Sequence, residues 1–298
     1  MGVQFWWFYD VIAVAVVLVF MFVTIKKGIM KAAVSLVGYG LAIALAFSIS
    51  SSIAGSLYSK AVRNSNVKKM DQSISEGDYI AELGNYLENL GYNIVIDENQ
   101  LRNICLSGED VDEKIYKYVN NINGRKVDEE GIFLNKLHEG YASSLNGFIT
   151  KQLSEYSAEC AAREIESKPA KFYGFMQLLK DEDNFKPAAE YIVDNYLEAP
   201  YISEIKLIVF LVVTIFLVLI TLLIETAAGK NRQMEPSIVT HAMSGLIGLF
   251  KGAVIVFVIA VMVRLYVVLG SNKMLFFNHD AIDKTYIFKY IYNIIKDM

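Results

Sequence analysis

Four stretches of this 298-residue chain run for about twenty residues with almost no charge: 8–25, 32–55, 205–224 and 246–270. A helix crossing a hydrocarbon core of about 30 Å needs about 20 predominantly apolar residues, and each stretch meets that length. The first carries Asp10 near its start, the second no charge, and the third only Lys206 at its edge. The fourth holds Lys251 and Arg264, each within snorkelling reach of an interface. Such long, continuous apolar runs predict an all-α polytopic membrane protein with four transmembrane helices. Short connections pair them as two hairpins, residues 1–55 and 204–270. The chain is 54% hydrophobic and 20% charged. A soluble domain runs nearer 45–50% and about 25%, so a simple cytosolic enzyme is excluded.

The first stretch reads as a retained span. A signal peptide opens on basic residues, whereas here Lys26, Lys27 and Lys31 follow the apolar run. Trp6, Trp7 and Tyr9 supply interfacial aromatics at its other end. Positive flanks prefer the cytoplasm, which puts the Lys26–Lys31 turn and the loop with Lys230 and Arg232 inside. The N-terminus, the insert and the C-terminus are then extracytoplasmic, in the inner membrane of a bacterial cell. Lys60, Arg63, Lys68, Lys69, Lys273 and Lys284 argue the other way. The first helix decides the reading, because large segments translocate largely regardless of charge.

Residues 56–203 hold 25 of the 32 acidic and 16 of the 28 basic residues, a local net charge of −9. The segment reads as a soluble, mostly helical insert of about five helices, enough for a small core. Ile80, Leu83, Leu87 and Leu90 recur at helical spacing behind cap candidates Ser75 to Asp78. Ile115, Val119 and Ile122 predict a second helix ending at Gly124, and Leu145, Ile149, Leu153 and Tyr156 a longer one. Pro169 and Pro187 open two more, while Tyr92 to Ile96 reads as a short strand. In the tail, 271–298, Ile287, Tyr290, Ile291, Ile294 and Ile295 form one apolar face. That amphipathic helix is expected to dock on the insert, the alternative being the membrane surface.

No HExxH, GxSxG, P-loop or CxxC pattern occurs. His138, His241 and His279 fall in three separate regions. Glu109 to Glu113, Glu129-Glu130 and Asp181 to Asp183 lack the alternation and central Gly of a calcium loop. The expectation is a non-catalytic protein with no cofactor and no metal site. A net charge of −4 with no clustered basic face gives no nucleic-acid footprint. Cys105 and Cys160 permit one disulfide outside the cytoplasm without arguing for it.

Within the spans, Gly245, Gly248 and Gly252 open the fourth in the string GLIGLFKG. Gly248 and Gly252 make a small-xxx-small pair suited to close helix packing, within the chain or between copies of it. Lys251 keeps a second use open, a polar path. Lys27-Gly28 makes the tight turn of the first hairpin, and the topology predicts an intramembrane pair between Asp10 and Arg264.

This arrangement resembles the colicin V production (CvpA) family. The resemblance rests on Asp10 in YDVIAVAV, the Lys27-Gly28 turn, and the string HAMSGLIGLFKG with Gly245, Gly248, Lys251 and Gly252. It covers about 120 to 130 residues of spans and turns. Two departures stand out: His241-Ala242 replaces the family's usual polar pair, and the insert is far longer than in the smallest members. The resemblance implies a four-span inner-membrane accessory protein tied to toxin production and export or to envelope maintenance, with no assigned activity. Its partners would be the lipid bilayer and envelope or secretion proteins reached through the insert. The alternative is a small-solute or ion transporter or channel, with Lys251, Arg264, Asp10 and Ser35 around a path between the hairpins.

Overall fold

The computed structural model describes residues 5–181, 184–228, 237–269 and 279–296, and among these every regular element is helical. Helix α1 (Trp7–Lys27) turns into α2 (Ile29–Leu57) at a single residue, Gly28, whose φ of 83° suits a residue without a Cβ. A π-helical segment, Tyr58–Val62, leads to α3 (Arg63–Ser75), α4 (Tyr79–Glu88), α5 (Glu98–Cys105) and α6 (Val111–Asn123). Then come α7 (Glu130–Gln152), α8 (Glu155–Ser167), α9 (Pro169–Leu178) and α10 (Lys186–Ile192). A second π-helical segment, Val193–Leu197, precedes α11 (Glu198–Ala228), and α12 (Ile238–Leu269), α13 (His279–Asp283) and α14 (Phe288–Lys296) complete the order. Four of these helices are long and apolar enough to cross a membrane: α1, α2, α11 and α12.

The chain forms two compact units, Met1–Leu57 with Ile202–Met298, and Tyr58–Tyr201. In the first, α12 is the centre: α1 lies along it and α2 packs against it. Glycine explains the intimacy of the first pair. A Cβ on Gly248 would sit 2.5 Å from Met21 Cα, and one on Gly252 would sit 2.6 Å from Val17 Cα. The backbones therefore touch where only hydrogen can fit. Helix α11 joins by a narrower stripe, Leu207, Phe210, Thr214, Thr221 and Glu225, all buried at helical spacing.

The second unit has its own aromatic core. Tyr79 meets the rings of Phe172 and Phe175 at 5.6 and 5.4 Å, and Tyr141 meets Phe172 at 5.6 Å. Local chemistry sets the helix ends. Asp78 accepts the N–H groups of Ile80 and Ala81, Asp97 those of Asn99 and Gln100, and Ser154 that of Ser157. Gly124, at φ 70°, closes α6 in the left-handed region. Arg63 grips Asp194 with two hydrogen bonds, 2.7 and 2.6 Å, tying α3 to the segment before α11.

Three readings of this segment change. Tyr92 to Ile96 is not a strand: Ile94 and Ile96 are buried and Val95 exposed, but no partner strand exists among the described residues. Its Ile96 N–H is met instead by Glu88 Oε1 at 2.7 Å. The apolar series through Tyr156 is two helices, because Ser154 starts a new one after Leu153. Polar α3, α5 and α8 join the expected helices. Asp181 is described; Glu182 and Asp183 of that acidic cluster, Lys230, Arg232, Gly270 and Lys273 lie outside the described residues.

The tail docks on the first and fourth spans rather than on the insert. Phe288, Tyr292 and Ile295 are buried with Tyr9, Val261 and Leu265 in the core of the first unit.

Candidate functional site

One carboxylate draws the four spans together. Glu225, near the end of α11, has a side chain only 3% exposed. Its Oε1 accepts from Lys27 Nζ at 2.9 Å, and its Oε2 lies 3.4 Å from Lys251 Nζ. Lys251 also donates to Ser35 Oγ at 3.0 Å and lies over the Tyr39 ring, 5.0 Å from its centroid. Lys27 belongs to α1, Ser35 and Tyr39 to α2, Glu225 to α11 and Lys251 to α12.

The geometry follows from each helix. Lys27 is the last residue of α1, with its stem half in water and a side chain 37% exposed. Lys251 lies 13 residues beyond the first residue of α12. Helical side chains lean toward the N-terminus of their own helix, so its ammonium reaches the level where α1 ends. Its residue is 2% exposed, so here snorkelling ends against protein groups rather than water. A carboxylate, a hydroxyl and an aromatic face together replace the water that a buried ammonium loses. Two cations share one anion, and Ser35 returns its own proton to the Lys31 carbonyl at 2.8 Å.

At the opposite end of α1, Asp10 and Arg264 take different partners instead of pairing with each other. Asp10 Oδ2 accepts the Tyr286 N–H at 2.7 Å, and Oδ1 accepts those of Ile287 and Phe288 at 3.0 and 2.9 Å. The carboxylate caps α14, where unpaired amides and the helix dipole favour negative charge. Arg264 lies over the Tyr292 ring, 6.0 Å from its centroid, and forms a hydrogen bond with that phenol. The pairing fails because the docked tail intervenes, and a tail helix offers a carboxylate a denser set of donors than one guanidinium.

Gly245, Gly248, Gly252 and Lys251 thus fall into two roles. The glycines seat α12 on α1, with Gly245 the loosest: its Cβ would meet the flexible Ile25 side chain at 3.3 Å. Lys251 enters the charged cluster. Lys27 does more than turn the chain, since it binds α11, while Gly28 makes the turn. Glu225 was legible only as the edge of the third span, where ETAAGKNRQ marks the change to polar sequence.

In the second unit, Asp112 accepts from Tyr141 at 2.9 Å, lies 2.6 Å from His138 Nε2, and is also bonded by Tyr173. Burial raises the Asp112 pKa, but the hydrogen bonds from His138, Tyr173 and Tyr141 outweigh it and hold the carboxyl below its ordinary value. Cys105 is buried nearby, and burial pushes its thiol up to about 12. Both cysteines are free thiols. His241 is on the surface at the start of α12, bonded to the Ser237 carbonyl at 2.9 Å, and the His279 side chain lies outside the described residues. Among the described residues no three His, Cys, Asp or Glu side chains converge as a metal-binding group. No family model matches the chain, and neither a curated protein nor a solved structure does.

Proposed function

We propose that the chain is a non-catalytic bacterial inner-membrane scaffold of the colicin V production kind, serving toxin production and export or envelope maintenance. The four spans anchor it, and the helical insert between α2 and α11 binds an envelope or secretion protein. The supporting observation is that the polar residues of the bundle have partners within it. Lys251, Ser35, Asp10 and Arg264, the residues that could line a path, are all engaged within the first unit. Gly248 and Gly252 bring α12 onto the α1 backbone.

The extracytoplasmic placement of N-terminus, insert and C-terminus is part of this proposal. Its test is a single accessible thiol at Ser75→Cys, on the exposed rim of α3, with Cys160→Ser, Cys105 left buried, and an impermeant maleimide on intact cells. Ser73, in the same polar stretch, is unsuitable: it is buried and donates to the Phe148 carbonyl at 2.7 Å. A photo-cross-linking residue at exposed Val95 or Ile132 then captures the partner. Labelling only after lysis, or no specific adduct at either position, overturns the reading.

The transporter alternative draws on the same Lys27–Glu225–Lys251 cluster, in which Glu225 and Lys251 are buried, because intramembrane charges often mark ion routes. It requires Lys251→Ala to change solute flux in vesicles at unchanged protein level. Scaffold function requires flux to stay flat while cross-linking persists.

A further inference from the structure

The tail helix α14 has more apolar surface than the bundle covers. At 100° per residue, Phe288, Tyr292 and Ile295 fall on one side, and Tyr290 and Ile294 on the adjoining side, with Ile287 just before the helix. Ile291 lies between them, so the apolar arc spans roughly 200°. The first set is buried against α1 and α12. The second stays exposed, Tyr290 at 66% and Ile294 at 62%, with Ile287 and Tyr286 exposed beside them. Lys289 and Asn293 occupy the remaining, polar side.

The level of this helix is fixed. Asp10 holds its first amides, and Asp10 is three residues from the start of α1. That start lies about 5 Å away along the helix axis. With 21 residues, α1 is about 31 Å long, close to the thickness of a hydrocarbon core. Trp6 packs edge-on to Tyr286 with centroids 5.3 Å apart, so the aromatic belt of α1 continues into the tail. Trp7, Phe8 and Val11 also stand exposed on α1, at the end where Asp10 holds the tail.

We infer that α14 is an interfacial membrane helix whose Tyr290 and Ile294, with Ile287 just before it, enter the headgroup–acyl boundary while Lys289 and Asn293 face water. Lipid fits this surface because its apolar side chains are flanked by phenols and an amine. The Lys289 ammonium lies 5.4 Å from the Tyr290 ring centroid, an arrangement suited to a boundary with one dry and one wet side. The inference does not depend on the scaffold reading; it needs only the membrane spans.

Site-directed spin labelling of the full-length protein tests it, in vesicles of phosphatidylcholine and phosphatidylglycerol. Cys160→Ser removes the accessible thiol, and buried Cys105 stays in place. Labels at Tyr290→Cys and Ile294→Cys should collide several-fold more with oxygen than with a water-soluble nickel chelate. A label at Asn293→Cys should show the reverse. Nickel access at 290 and 294 equal to that at 293 overturns the inference. Protection from both reagents also overturns it, and assigns the face to a second copy of the chain or another protein. The labelled positions are exposed, so folding is not at stake; Ile287→Cys gives an independent reading of the same side.

Discussion

Glu225 binds Lys27 through one carboxylate oxygen and faces Lys251 with the other, so a single anion serves two cations from different spans. The arrangement predicts an unequal response to mutation. Glu225→Gln leaves two ammonium groups without a counter-charge, one of them almost fully buried. Loss of a partner from a buried pair costs roughly 3–5 kcal/mol. Lys251→Met leaves Glu225 paired with Lys27 and fills the space over Tyr39, so it should cost much less. Thermal melting in detergent should rank Glu225→Gln below Lys251→Met; the opposite order would show that Lys27 alone does not satisfy the carboxylate.

The glycines of α12 predict a second gradient. Gly252→Val and Gly248→Val place side chains against the backbone of α1, which cannot move aside as a side chain can. Each should cost more than the roughly 1–3 kcal/mol typical of overpacking and lower the amount of protein in the membrane. Gly245→Ala should be nearly silent, because Ile25 can shift its terminal methyl. Equal loss at all three positions would mean that helix flexibility, not close approach, is what the glycines supply.

The spans were readable because a membrane imposes a length that few other structures need. Lys251, Ser35 and the glycines were readable as unusual residues inside those lengths. Their partners were not. Glu225 stands where apolar sequence gives way to polar, and such a carboxylate ordinarily faces water. It is buried where α11 meets α2, with Thr221 against Gly38, and where Lys27 of α1 and Lys251 of α12 close over it. Asp10 had the same ambiguity: its charge was visible, but its partners, the amides of residues 286–288, lie more than 270 residues away and carry no side-chain signature. In the insert, α3 was hidden by its polarity, since RNSNVKKMDQSIS buries only Asn66, Val67, Met70, Ser73 and Ile74.

The two cysteines should behave differently in the folded protein. Cys105 is buried with its thiol pushed up to about 12, which keeps it protonated at neutral pH. Cys160 is partly exposed, with Arg163 Nη2 donating to its sulfur at 3.4 Å. A maleimide at pH 7 should modify one thiol per chain in the native state and two after denaturation. Rapid native labelling of both would show that α5 opens readily from the core.

The Asp112 cluster predicts a pH dependence with a definite sign. Its carboxyl is held below the ordinary value of 3.8 despite burial, by hydrogen bonds from His138, Tyr173 and Tyr141. A carboxylate with a depressed folded-state pKa stabilises the fold above its unfolded pKa and loses that contribution as pH falls through the folded value. The deficit of Asp112→Asn relative to the parent chain should be roughly 1.5–3 kcal/mol near neutrality. It should shrink as pH falls below about 4, where the carboxyl of the unfolded chain protonates, and be lost below the folded value. A deficit unchanged from pH 7 to pH 3 would assign the loss to packing around Tyr141 rather than to charge.

Asp10 sets the last expectation, because three amides at the start of α14 rest on its side chain. Replacing a capping carboxylate with alanine costs about 0.5–2 kcal/mol, enough to matter for a nine-residue helix. Asp10→Ala should therefore raise the fraction of tail undocked without unfolding the spans. Limited trypsin digestion reads this directly at Lys284 and Lys289, which bracket the capped amides. Faster cleavage at both sites, with α1 and α12 still associated, is the expected result. Asp10→Asn keeps an acceptor without the charge, and should fall between the two. If Asp10→Ala digests no faster than the parent chain, burial of Phe288, Tyr292 and Ile295 holds the tail unaided, and Asp10 only sets where the helix begins.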